Sequence, residues 1–341
     1  MNLRQLRALL AVAENEGFSA AASELHTVQS NVSSHIANLE AELGAILVDR
    51  PSGRLTVEGA VVAARVRCME TEIEAMHCDL ASFHRGFAGT ARVGMIATTA
   101  RWLAPLFFAE LTTRHPAVHL VVVEGTSTSL EELLLSSRLD LAIVDLADRD
   151  SALILEPLFD EDLLLVVPPD HALANEQEID FTDLNGIELI LPPRHTAFRT
   201  DIDRAAMACG VTIRTKAEFD GVRLIASITF DGHGAAILPA TAVPTWLRDR
   251  CSTLVVHGLP RRHIGKAQRR RGRPPALMVA VNDLLSHLAT REATPERGIH
   301  LPATELAVAT CSITSSIDEK QAVSVQTQAS SPNPKKVEIR V

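Results

Sequence analysis

Apolar residues recur at helical spacing three times within the first sixty positions. Leu3, Leu6, Leu10 and Ala13 predict a first amphipathic helix, closed by the turn Glu14-Asn15-Glu16-Gly17-Phe18. A short second helix is expected over 19–25, with Ser19 as its N-cap. After His26-Thr27-Val28 comes a longer helix, lined on one side by Val32, Ile36, Leu39 and Leu43. Its other side carries Ser30, Asn31, Ser34 and Asn38, flanked by Gln29, Ser33 and His35. No residue of that face is formally charged, yet its amides and hydroxyls both donate and accept hydrogen bonds. A short helix, a tight turn and a longer helix with a polar outer face describe a helix-turn-helix. An ordinary three-helix bundle satisfies the same spacing. The run 46–59 then reads as strand, turn, strand, with Pro51-Ser52-Gly53 at the tip and Arg50 and Arg54 beside it. Such a wing favours the winged-helix reading, because it sets two cations where phosphates run.

Further along, Val62, Val66, Met69, Ile73, Met76, Leu80 and Phe83 alternate spacings of four and three, which is an a/d seam. A helix packed on its own domain would carry a stripe too. The persistence of the seam favours pairing with a second copy. Beyond it, strand-like runs start near 91, 119, 139, 162, 187, 215 and 234, and amphipathic helices fall near 103–113, 129–138, 198–209, 221–230 and 275–289. This alternation predicts parallel α/β sheets in two lobes. In open α/β sheets ligands gather beyond the carboxyl ends of the strands. That rule points to the turns 97–101 and 125–129 and to 192–199. Thr128-x-x-Glu131 and Ser129-x-x-Glu132 both fit a capping box there.

Composition narrows the function. The chain has 341 residues, 46% hydrophobic and 22% charged, enough for two or three domains with their own cores. No apolar run approaches the ~18 residues of a membrane span. The run 8–13 is too short for a signal-peptide core, so a cytoplasmic protein is expected. Five cysteines (68, 78, 209, 251 and 311) form no CxxC pair and are expected to be free thiols. The 13 histidines lack metal-ligand spacing, and no metal or cofactor is expected. There is no nucleophile elbow, zinc motif or P-loop, so the chain is not expected to be an enzyme. Gly232-His233-Gly234 reads as a turn. The stretch 261–274, with seven Lys or Arg, reads as a solvated loop or strand edge. Net charge is −9, and residues 1–60 hold four arginines against seven acids. A DNA reader with that balance needs a few well-placed arginines and hydrogen bonds from a helix face.

Taken together, Phe18-Ser19, Ala20 to Ala22, Leu25-His26, Gln29, Leu39-Glu40, Leu43-Gly44, Arg50 and Thr56 to Gly59 resemble the DNA-binding segment of LysR-type transcriptional regulators. Val28 stands where that family has Ser, and Ser30 and Ser34 where it often has Pro and a basic residue. The resemblance implies a winged helix-turn-helix over 1–59, a dimerising linker helix over 60–88 and a two-lobed effector domain like periplasmic binding proteins over 89–290. Residues 291–341, rich in Ser, Thr, Ala and Pro, are expected to be a disordered tail with a short helix at 303–310. Under this reading Gln29, Ser30, Asn31, Ser33, Ser34, His35, Asn38, Arg50 and Arg54 meet operator DNA. Thr98, Thr99, Thr128, Arg194, His195, Phe198 and Arg199 face a small-molecule effector. That effector is expected to be a small anion, with Arg101 adding countercharge, although Asp145 and Asp148 would suit a cation. The partners implied are operator DNA, a second copy of the chain (with a dimer of dimers as a further step) and RNA polymerase. A solute receptor or an enzyme is the alternative. The first has no use for a wing, and the second would have to turn its ligand over.

Overall fold

The computed structural model describes residues 1–15, 17–146, 153–244, 246, 250–270 and 274–302. Three helices build the head: α1 (Leu3–Asn15), α2 (Phe18–Glu24) and α3 (Gln29–Leu43). Leu6, Leu9 and Val12 of α1 close on Ala21 and Ala22 of α2 and on Val32, Ile36 and Leu39 of α3. The small alanines let α1 and α2 approach. Leu43, expected in that stripe, is 42% exposed. Helix α2 starts one residue earlier than expected, after Gly17 and without a side-chain cap. Helix α3 follows Val28, which offers no cap either, and ends at Gly44 in the left-handed region. The wing is shorter than a hairpin of two strands, held by one antiparallel bridge, Val48 to Leu55.

Helix α4 (Val57–Arg85) leaves the wing. Thr56 caps it by accepting the Gly59 N–H at 2.9 Å. A Cβ on Gly59 would lie 1.9 Å from the Leu47 carbonyl oxygen, so only glycine lets the helix touch the wing. Val62 and Val66 of the expected seam pack instead on the head's own core. Met69, Met76 and Leu80 are exposed, whereas the Phe83 side chain lies outside the described residues.

Two six-stranded sheets follow. The first combines β1 (Gly89–Ile96), β2 (Val118–Gly125), β3 (Leu141–Asp145) and β4 (Leu153–Glu161) with strands from far down the chain. Helices α5 (Ala97–Arg114) and α6 (Ser127–Leu135) connect its parallel part. The second lobe holds β5 (Leu163–Val167), β6 (Glu178–Asp180), β7 (Glu188–Leu191), β8 (Arg214–Glu218), β9 (Ala235–Pro239) and β10 (Ser252–His257), in the order β6-β10-β5-β9-β7-β8, with α7 (Ala197–Cys209) and α8 (Val222–Phe230). The chain then returns through β11 (Arg262–Arg269) and α9 (Ala276–Glu292) to the first lobe, and β12 (Ile299–His300) closes that sheet as β12-β4-β11-β3-β1-β2.

Three expectations change here. The sheets are mixed, because β11 runs antiparallel to β3 and β4, and β5 antiparallel to β9 and β10. The basic stretch from 261 is no solvated edge, since β11 lies between two strands and buries Ile264, Ala267 and Lys266. Residues 291–302 are ordered: Ile299, 1% exposed, joins the first lobe's core. The expected short helix at 303–310 lies outside the described residues.

Candidate DNA interface and effector cleft

The head presents Gln29, Ser30, Asn31, Ser34 and Asn38 of α3 to solvent, while Ser33 and His35 are half-buried on its flanks. Thr27 Oγ1, freed from capping, accepts the Asn31 amide at 3.0 Å. Arg50 does not stand free. Its guanidinium donates to Glu40 Oε2 at 2.8 Å and to Ser33 Oγ at 3.0 Å, and lies 5.1 Å over the Phe18 ring. The other Glu40 oxygen accepts the N–H groups of Leu47 and Val48 at 2.9 and 3.2 Å. Burial opposes the Glu40 charge, but these backbone donors and Arg50 outweigh it and hold its carboxyl below the usual carboxylate range. Arg7 is bound by Glu70. Arg4 and Arg54 are therefore the head's two arginines without an acidic partner among the described residues.

The second candidate site lies between the lobes. The chain crosses from β4 to β5 and back from β10 to β11, and α5 of the first lobe packs against α8 of the second. Thr98 and Thr99 sit in the first turn of α5, 3% and 0% exposed, and Thr99 Oγ1 has no hydrogen-bond partner among the described residues. Arg101, two residues further on, meets no acid among the described residues. Burial and the positive charge of Arg223 on α8 both push its pKa below the usual arginine value. Arg223 itself bonds Glu124 at the end of β2, across the lobes.

The other expected contacts have different surroundings. Thr128 is exposed on α6, and the cap of that helix is Thr126, which accepts the Ser129 N–H at 3.2 Å, rather than either capping box. Ser127 Oγ accepts the Asp145 N–H instead. Arg194 and His195 are exposed on the loop before α7. Arg199 is 2% exposed and already committed inside the second lobe: Asp203 and Glu218 take its charge, and the Pro192 carbonyl and Thr215 accept two further N–H groups. It is a structural residue, and the reason lies in two acids that its own helix and β8 supply.

Sequence reasoning missed Arg262. It donates to Asp145 at 3.0 Å and to the fully buried Glu161 at 2.9 Å, and it stacks 5.7 Å over Phe198 of the other lobe. Glu161 also accepts the Thr241 N–H and hydroxyl at 3.1 and 2.7 Å. Complete burial pushes its carboxyl up, against the opposing pull of Arg262 and Thr241. Burial also raises Asp201 on α7; Arg204 opposes that shift and Asp145 adds to it. The cleft thus has an uncompensated cationic end at Arg101, facing Arg223, and an end at Arg262 where acids neutralise the cation. Asp148 lies outside the described residues.

Residues 3–60 match the family described as bacterial regulatory helix-turn-helix protein, lysR family, and residues 84–291 match the LysR substrate binding domain. The chain belongs to the LysR family of regulators. A probable hydrogen peroxide-inducible genes activator of Streptomyces viridosporus is 32% identical over 71% of this chain and 78% of its own length. The DNA-binding transcriptional dual regulator OxyR of Escherichia coli K12 is 29% identical over 72% and 81%. Full-length OxyR from Pseudomonas aeruginosa, solved as a point mutant, superimposes with a TM-score of 0.67 at 24% identity, covering 84% of this chain and 97% of that one. CbnR, a LysR-family protein solved in complex with its target DNA, gives 0.62 at 22% identity, over 84% and 100%. The motifs between Phe18 and Gly59 thus led to the right family. The chain is a DNA-binding transcriptional regulator with an effector-binding domain. Among the described residues no helix is long and apolar enough to cross a membrane.

Proposed function

We propose that this LysR-family regulator binds operator DNA as a homodimer, with a dimer of dimers as the next assembly step, and answers to a small anion held between its two lobes. Gln29, Ser30, Asn31, Ser34 and Asn38 read base edges, since amides and hydroxyls match the donor and acceptor pattern of the major groove. The regulator works in the cytoplasm and passes its signal to RNA polymerase. It releases its effector unchanged.

The observation that carries the effector reading is the pairing of Thr99 with Arg101. A hydroxyl with no partner among the described residues, buried at a helix N-terminus, lies two residues from a partly buried guanidinium that feels the positive charge of Arg223. A carboxylate would satisfy the hydroxyl, the helix end and the cation together. Closing the lobes on it would favour one arrangement of the linked heads.

A thermal-shift screen of small organic acids, neutral analogues and amines tests this. A ligand at a hundred times its Kd adds about 2.7 kcal/mol, so an acid should raise the melting temperature of the ~200-residue sensor by roughly 5–10 °C. The shift should disappear in Thr99→Val with Arg101→Gln. A response to amines or neutral compounds alone overturns the anion reading.

The relatives' names favour a second reading, in which the effector is hydrogen peroxide. One solved OxyR mutant, from Corynebacterium glutamicum and 22% identical, carries it bound. Among the described residues Cys68, Cys78, Cys209 and Cys251 lie outside any disulfide. Peroxide is uncharged and needs no countercharge from Arg101, so DNA binding that responds to peroxide in the Arg101→Gln variant, with no acid active, would select it.

A further inference from the structure

The wing of this head carries a cation that is committed before DNA arrives. Arg50 reaches three residues on two helices at once: the Phe18 ring at the start of α2, Ser33 in the first half of α3 and Glu40 about two turns further along α3. Glu40 in turn receives the first two N–H groups of the wing, from Leu47 and Val48. The wing has a single bridge of its own, so these contacts set its angle to α3. A guanidinium is suited to this because its planar fork serves Ser33 and Glu40 in fixed directions, which an ammonium cannot do.

We infer that Arg50 and Glu40 are positioning residues for DNA recognition, bracing the wing against α3 and holding Ser33, and that Arg50 is not a phosphate contact. The two roles make opposite demands on charge. A phosphate contact works independently of sequence, and its loss flattens the salt dependence. A brace acts on the geometry of base reading, so its loss reduces specific binding and leaves the salt dependence unchanged. Glu40 separates them further. If Arg50 served phosphate, Glu40 would compete for it, and neutralising Glu40 would tighten binding to any DNA. If the pair is a brace, neutralising Glu40 weakens specific binding.

The test measures binding of the full-length protein, by anisotropy over a range of salt concentrations, to two duplexes of equal length. One is a fragment that the wild-type protein selects from random-sequence DNA, and the other is an unselected random sequence. Arg50→Lys, Arg50→Ala and Glu40→Gln should each weaken the selected fragment by roughly 10–100-fold, the size of one or two disturbed base contacts. Binding to the random duplex should change less than about twofold, and the slope of log affinity against log salt should stay as in the wild type. The double variant Glu40→Gln with Arg50→Lys should be no weaker than either single one, because both break one unit. Arg50→Lys keeps the charge and is the mildest change. Wild-type affinity in that variant would overturn the inference, even if Arg50→Ala proved unfolded by circular dichroism. So would tighter binding by Glu40→Gln, or an Arg50→Ala slope shallower by about 0.9 per lost contact with equal weakening on both duplexes.

Discussion

Gln29 and Asn31 are the side chains that we propose read bases most selectively. Both project from the first turn of α3, and Asn31 is steadied by Thr27 at 3.0 Å. An amide in that position can pair with one base edge and not another, whereas a hydroxyl tolerates several. Gln29→Ala and Asn31→Ala are each expected to cost roughly 1–3 kcal/mol of specific affinity, with little change on random DNA. Competition titrations against point-mutated operators check this. If a double variant with an intact fold binds its operator as before, these two residues do not read bases. At the same scale, Arg199 warns against counting cations. It resembles a ligand contact in position and type, but two carboxylates and a carbonyl consume it within the second lobe.

Elements are decided by what they pack against. Strand β12 has only two residues, yet it pairs with β4 and buries Ile299 against the first lobe. Its neighbour His300 bonds Asp162 at 2.7 Å, and Asp162 is the residue at which the chain passes from one lobe to the other. Arg261 holds the second oxygen of the same carboxylate, also at 2.7 Å. A chain ending at 292 should therefore lose about 2–4 kcal/mol relative to one ending at 302, mostly from the buried isoleucine. Denaturant melts of the two truncations check this. Equal midpoints would mean that β12 contributes nothing to the lobe. Helix α4 makes the same point, because Val62 and Val66 serve the head and the seam available to a second copy begins only at Met69.

At the scale of the whole molecule, α4 connects everything. Arg7–Glu70 and Arg67–Glu14 fasten the head to it. On its other side Arg92 meets Glu74, Asp79 accepts the Ala276 N–H, and Cys68 sits 2.9 Å from Ser137 and 3.2 Å from Arg269 of the first lobe. Helix α4 thus touches both the head and the first lobe. Met69, Met76 and Leu80 form an exposed apolar row, and we propose that a second copy packs there. Met69→Asp with Ile73→Asp places two unpaired charges per chain in that contact, which is strongly unfavourable. Sedimentation at micromolar concentration should then show monomer. An unchanged assembly state would mean that the dimer forms elsewhere.

The helices of the head and strands β1, β2, β3, β5, β7, β8 and β9 were legible in the sequence because their signals are local, whereas the equally apolar β10 was not read. A stripe at three- and four-residue spacing, or a short apolar run between turns, predicts its element whatever the rest of the chain does. The motifs from Phe18 to Gly59 even identified the family, since the Thr56 cap and the Gly59 contact are imposed by this one packing. Strands β4 and β11 escaped notice because they carry Pro157 and charged residues, and those charges are tolerable in a central strand only through partners elsewhere. Arg262 and Glu161 are 101 residues apart in sequence. Whether a cation is free for DNA or ligand, as Arg54 and Arg101 are among the described residues, or already neutralised, as Arg50 and Arg199 are, depends on such distant acids. Residue type and spacing determined which groups this chain possesses. Only the tertiary structure decided which of them remain unpaired, because a charge is neutralised by what lies next to it in space.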